Sequence, residues 1–143
     1  MLVLDTDHMS VLEWADGSAA ERLRQRLNEA LEPKTTTIVT YEEQSRGWLA
    51  YIARAKSRTE QLDAYQRLSG HLQMYRRPAV TVLDFDAWAE AEYRRQRKSG
   101  VRIGTLDLRI ASIVLVQNAT LLTANAKDFS QVPGLRFEDW LTS

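Results

Sequence analysis

Short strand-like runs alternate with long helical stretches along the whole chain, and few folds accept that order. Leu2 to Leu4 is an apolar run, and Thr35 to Val39 is rich in β-branched residues. Ala79 to Leu83, Thr120 to Leu122 and Leu135 to Phe137 supply three more candidate strands. Between them the apolar residues recur at helical spacing. Leu23, Leu27 and Leu31 repeat every four residues before Pro33, and Ser18 with Glu21 three residues on predicts a capping box at that helix's head. The segment from Glu42 to about Tyr75 carries two apolar stripes, one through Trp48, Tyr51, Ile52 and Ala55 and the other through Leu62, Tyr65, Leu72 and Tyr75. It is expected to hold two or more helices, weakened near Gly70 and ended by Pro78. Asp84 or Asp86 can cap the next helix, in which Trp88, Ala91 and Arg95 share a face and which Gly100 closes. After a turn at Gly104, Leu106 to Gln117 is apolar on most of its surface and predicts a deeply buried helix that Asn118 stops. Pro133-Gly134 then makes a turn. Such alternation predicts an α/β fold, a mostly parallel sheet of four or five strands with helices on both faces.

With 143 residues, 44% of them hydrophobic, the chain is about one domain's worth and can bury one core. No repeat, low-complexity segment or Gly/Ser-rich linker divides residues 1–143. Nineteen basic and nineteen acidic residues cancel, so overall charge directs the protein neither to nucleic acid nor to a membrane. The absence of cysteine excludes disulfides, thiolate metal sites and a cysteine nucleophile. No apolar run approaches the ~20 residues that span a bilayer, and no signal-like opening is present. A cytoplasmic protein is expected.

The chemistry lies where the strands end. Leu4 is followed by Asp5-Thr6-Asp7, and open parallel sheets bind ligands at the carboxyl ends of their strands. Glu42-Glu43 follow the second strand, Asp107 stands where a helix begins, and Asp128 lies past the fourth strand. Carboxylates gathered at one edge repel each other unless a cation joins them. Hard oxygen donors of this kind suit Mg²⁺ or Mn²⁺, ions able to activate water and offset charge in phosphodiester hydrolysis. Each acid also has an ordinary reading. Asp5 and Asp107 could be caps, Glu42 and Glu43 first-turn acids, and Asp128 a solvated loop residue. On a helix Glu42 and Glu43 point about 100° apart, so only one can face such a cluster.

Other candidates stand near these acids. Asp7 could ligate or brace, and Asn125 could offer its amide to water or phosphate. Thr6 lies between the opening acids. Arg94, Arg95, Arg97, Lys98 and Arg102 form the densest basic run; Arg94, Arg95 and Arg102 are its candidate phosphate contacts, against the alternative that they pair with Glu90 and Glu92 on a solvated face. Of the two histidines, His8 and His71, His8 lies near the acids and could touch substrate, although one histidine among acids is more often a surface or packing residue. Trp14, Trp48, Trp88 and Trp140 could stack on bases, but the expected role for most is to fill the core or a subunit interface.

These motifs, taken in order, resemble those of the PIN-domain nucleases. Leu4-Asp5-Thr6-Asp7 resembles the opening motif. Val39 to Glu43 followed by Gly47 resembles the second, whose acid precedes the glycine by four residues and so selects Glu43. Gly104 to Ala111 resembles the third. Leu121 to Phe129, Val132 to Leu135 and Glu138-Asp139-Trp140 resemble the closing segment of the VapC toxin branch. The resemblance implies a PIN-like three-layer fold and a Mg²⁺- or Mn²⁺-dependent endoribonuclease, the toxin of a type II toxin–antitoxin pair. It implies Asp5, Glu43, Asp107 and Asp128 as catalytic acids and metal ligands, with Asn125 beside the last, and a homodimer blocked by a small antitoxin. The chain departs from the pattern at Asp7, where a small neutral polar residue is common, in the long segment from Trp48 to Arg77, and at the fourth acid, which is split between Asn125 and Asp128, the branch varying in which it uses. Two rivals stand beside this reading. One is a catalytically silent PIN-like binding module. The other is a phosphatase of haloacid-dehalogenase type, which Asp5-Thr6-Asp7 also resembles but whose late paired-acid motif is missing, since Asp107 has no acidic neighbour.

Overall fold

The computed structural model describes residues 1–142. Five parallel strands form one sheet in the order β3-β2-β1-β4-β5: β1 (Leu2–Leu4), β2 (Lys34–Thr37), β3 (Thr81–Leu83), β4 (Thr120–Leu122) and β5 (Arg136–Glu138). Seven helices connect and cover them: α1 (Thr6–Trp14), α2 (Ser18–Glu29), α3 (Ile38–Arg54), α4 (Arg58–Arg76), α5 (Ala87–Lys98), α6 (Thr105–Val116) and α7 (Ala126–Phe129). Because side chains alternate along a strand, Val3 joins the core with α6, whereas Leu2 and Leu4 join Met9, Leu23, Leu27 and Met74 on the opposite face. The expected α/β architecture and two-sided cover are therefore present. No helix among the described residues is long and apolar enough to cross a membrane.

Several boundaries differ from the sequence expectation. Strand β2 stops at Thr37, not Val39, because the Thr37 hydroxyl accepts the Thr40 N–H at 2.9 Å and starts α3 there. Its neighbours Thr35 and Thr36 are buried, and their hydroxyls donate to the Leu2 and Leu4 carbonyls at 2.9 and 2.8 Å. The Ser18 capping box does not form. Gly17, at φ +99°, is the cap, and the Glu21 N–H goes to its carbonyl. Helix α2 ends at Glu29, which leaves Leu31 fully exposed beyond the stripe of Leu23 and Leu27. Asp86 caps α5, and the Trp88–Ala91–Arg95 face points to solvent. Asn118 adopts φ +51° just past α6, the left-handed stop its position suggested.

Helix α1 had no counterpart in the sequence reading, since its buried residues are His8 and Met9 and no apolar stripe marks it. Helix α4 runs unbroken through Gly70. A Cβ there would lie 2.8 Å from the Trp14 ring, which Trp48 holds edge-on at 5.2 Å and the Arg67 guanidinium faces at 5.7 Å. Gly70→Ala should therefore destabilise the fold. Alanine gains about 1 kcal/mol as a helix former, but overpacking costs about 1–3 kcal/mol. A melting temperature a few degrees lower is the expected result, and an unchanged or higher one would mean that Trp14 moves aside freely.

Candidate active site

The parallel register sets Leu4 beside Leu122, so the residues that follow them, Asp5 and Thr123, meet at the sheet's carboxyl edge. Asp5 is 5% exposed and caps α1. One carboxylate oxygen accepts the Thr6 N–H at 2.8 Å, and the other accepts the Thr123 hydroxyl at 2.7 Å. The Thr123 oxygen in turn accepts the Asn125 N–H at 3.0 Å. Burial first, and then the Asp7 charge, pushes the Asp5 carboxyl up to about 7, with Asp107 adding to the effect.

Asp7 is braced as well. It accepts the Ala124 N–H at 2.9 Å and pairs with His8 Nδ1 at 2.6 Å. The Trp140 N–H donates to His8 Nε2 at 3.1 Å, so the ring's proton sits on Nδ1 and points at Asp7. His8 is fully buried in this bridge.

Asp107 lies in the first turn of α6, where Gly104 is the cap, so its carboxylate is left for the sheet edge. Burial pushes it up to about 6, followed by the charges of Glu43, Asp128 and Asp7. Asp107 is thus the electrostatic hub of the constellation. Among the described residues, the charges acting on Asp5 are those of Asp7 and Asp107, and the charges acting on Asp107 are those of Glu43, Asp128 and Asp7.

The adjacent glutamates separate as helix geometry requires. Glu42 turns outward to Arg46 at 2.5 Å, while Glu43 acts on Asp107. Behind Glu43, the buried Gln44 accepts the Tyr75 hydroxyl at 2.6 Å and donates to Ser10 at 3.1 Å, which ties α3 to α1 and α4. Asp128 and Asn125 bond reciprocally. The Asn125 amide donates to the carboxylate at 3.1 Å, and the Asp128 N–H returns to the Asn125 oxygen.

Among the described residues, no three acidic or histidine side chains stand close enough to grip one ion directly. The donor set still suits Mg²⁺, which keeps several waters and takes one or two carboxylates from the protein. Thr6 Oγ1 supports that fit, because it is buried beside Asp5 without a hydrogen-bond partner. The candidate basic contacts are not brought to the acids by any hydrogen bond. Arg94 and Arg95 pair with Glu90 and Glu92 along α5, and Arg102 donates to the Arg97 and Val101 carbonyls. Thr123 is a bracing residue that sequence reasoning missed, and His8, placed near the acids from sequence, proves to brace Asp7. The signal for Thr123 is its place one step past Leu122, opposite Asp5.

An all-parallel sheet in this order, with acids from separate elements at its carboxyl edge, defines an α/β domain with an acidic sheet edge. The PIN domain family model matches residues 2–135, and the chain belongs to that family. It is 29% identical over 122 residues to ribonuclease VapC1 of Haemophilus influenzae, a match covering 85% of this chain and 83% of the relative. Over 65 residues it is 40% identical to ribonuclease VapC2 of Rickettsia felis; there the match spans 43% of this chain and only 48% of the relative. Among solved structures, VapBC-1 from nontypeable Haemophilus influenzae superposes with a TM-score of 0.72 at 23% identity, covering 97% of both chains. VapBC2 of Rickettsia felis, solved bound to a promoter DNA fragment, gives the same TM-score and identity over 97% of this chain and 98% of that one.

Proposed function

We propose that residues 1–143 form one Mg²⁺- or Mn²⁺-dependent endoribonuclease domain, the cytoplasmic toxin of a type II toxin–antitoxin pair. The protein would act as a homodimer and be silenced by a small antitoxin. The observation that carries the reading is the carboxyl edge itself: Asp5 is held there by the Thr6 N–H and the Thr123 hydroxyl, within electrostatic reach of Asp7 and Asp107, and Asp107 is within reach of Glu43 and Asp128.

Asp5 and Asp107 would hold the principal ion, with Glu43 and Asp128 orienting its waters. A bound divalent ion would supply positive charge for the phosphoryl oxygens and acidify water. The chain's own residues do the rest. The Thr6 N–H and Thr123 hydroxyl fix both oxygens of Asp5, so the carboxylate needs no rearrangement before reaction. The unpartnered Thr6 Oγ1 can donate to a non-bridging phosphate oxygen. Glu43 would orient the attacking water and take up its proton. As the new O–P bond forms, the bond to the departing ribose oxygen breaks, and that oxygen takes a proton from solvent water to leave as a hydroxyl.

Incubation of RNA with the protein in Mg²⁺, Mn²⁺ or EDTA tests this. Cleavage in either metal, stopped by EDTA and by the protein encoded in the neighbouring reading frame, is the expected result. Undiminished cleavage in EDTA would overturn the proposal. Turnover of a generic phosphomonoester would favour the phosphatase, and no cleavage in either metal the silent module.

A further inference from the structure

Beside the acids lies a cavity of about 330 Å³, most of whose lining has no part in the metal chemistry. Thr6 and Glu43 stand at its catalytic end, and Gly47, Trp48, Tyr51 and Arg54 continue it along α3. A second hollow of about 180 Å³ shares Tyr51 and Arg54 and extends the groove toward Glu60. We propose that the larger cavity takes one unpaired nucleobase of the RNA, from a nucleotide next to the scissile phosphate. This inference rests on the nuclease reading and specifies how that site selects its substrate.

Three observations favour a base. First, the lining combines two aromatic rings with a guanidinium, the groups on which splayed-out RNA bases stack. The Arg54 guanidinium makes no hydrogen bond or ion pair among the described residues and is free for a base edge or phosphate. Second, the aromatic wall is fixed in advance. The Tyr51 hydroxyl donates to Asp63 at 2.7 Å, Arg67 donates to the same carboxylate at 3.0 Å, and the Arg67 guanidinium lies 5.8 Å from the Trp48 ring. A wall braced by α4 need not be ordered when a ligand arrives, which favours affinity.

Third, Gly47 leaves the cavity open. It sits inside α3, where glycine costs about 1 kcal/mol relative to alanine. A Cβ there would meet no atom within 4 Å, so packing does not require the glycine. A larger side chain at this position would instead enter the cavity lined by Trp48 and Tyr51. The long departure from Trp48 onward thereby has a use: it builds the base-facing wall and its brace.

The test uses a substrate oligoribonucleotide and copies of it carrying one abasic ribose, placed in turn on either side of the cut. Wild type should lose about 5- to 100-fold in kcat/KM on the copy lacking the recognised base, mostly through KM. Gly47→Leu should fold as well as wild type, bind Mn²⁺ with unchanged affinity, and cut intact and abasic copies at similar, reduced rates. Arg54→Ala, an exposed change, should raise KM for the intact copy and relax the base preference seen when cleavage ends are mapped. Wild type that cuts intact and abasic copies equally overturns the inference alone. So does a Gly47→Leu protein that keeps full discrimination, or one that cuts normally and only escapes the antitoxin, since the groove would then dock protein. Wild type that neither cuts nor binds any of the RNAs overturns the nuclease reading and this inference with it.

Discussion

Asp5→Asn should lower RNA cleavage by at least about a thousandfold and, at neutral pH, raise the melting temperature. The two effects have one cause. Asparagine caps a helix as well as aspartate does, so the Thr6 N–H keeps its acceptor and α1 its start. What disappears is a charge that the native state holds at a cost. Burial and the neighbouring acids push the Asp5 carboxyl from 3.8 up to about 7. A raised folded-state value means that the favourable contribution is complete below about pH 4 and lost as pH rises through about 7. At pH 7.5 wild type bears that loss and the variant does not. The melting temperature of Asp5→Asn should thus exceed wild type by several degrees at pH 7.5 and by little at pH 4. Calorimetric melts and gel assays of the same preparations check both halves. A variant that cuts normally in Mn²⁺ removes the proposed site. One that is dead and also less stable at pH 7.5 would mean that Asp5 serves the fold rather than the chemistry.

Asp5 was legible because strand β1 is a three-residue apolar run followed at once by an acid, a pattern that fixes position without any tertiary information. The choice of Glu43 over Glu42 was legible only through the spacing to Gly47. The structure adds the reason, which is that Arg46 takes Glu42 one helical turn away. The β2–α3 junction was misplaced because Ile38 and Val39 are β-branched and read as strand. Their conformation is decided by the Thr37 cap and by the burial of Val39 against the core around α6, neither of which local propensity encodes. Helix α1 escaped for a related reason. Two of its inward residues are polar in whole or part, His8 and Ser10, and their partners Trp140 and Gln44 lie 132 and 34 residues away. Thr123 is the clearest case. Its hydroxyl matters only because the register brings it to Asp5 across 118 residues.

With divalent ions removed, stability should fall as pH rises from about 5 to 8, and Mg²⁺ should reverse part of the fall. Three carboxyls are raised in the native state: Asp5 to about 7, Asp107 to about 6 and Glu13 to about 7. Each binds protons more tightly folded than unfolded, so each contributes stability at low pH that is lost through those values. His71, pushed down by burial, works the other way as pH drops below 6.5 and limits the gain at the acid end. One raised group is placed differently. Glu13 faces His71 at 3.2 Å between α1 and α4, and its loss comes from burial without help from the site acids. Asp5 and Asp107 repel their neighbours, and a divalent ion favours exactly the ionised forms that raise the strain, so ion binding should release protons and stabilise more at pH 7.5 than at pH 5. In EDTA the wild-type melting temperature should drop on the order of 10 °C across the range. Glu13→Gln should flatten part of that drop and keep the full Mg²⁺ response. Asp5→Asn should flatten another part and lose most of the Mg²⁺ response. Equal Mg²⁺ stabilisation of wild type and Asp5→Asn would place the ion elsewhere on the protein, and a flat profile in EDTA would mean that the acids relieve one another without a cation.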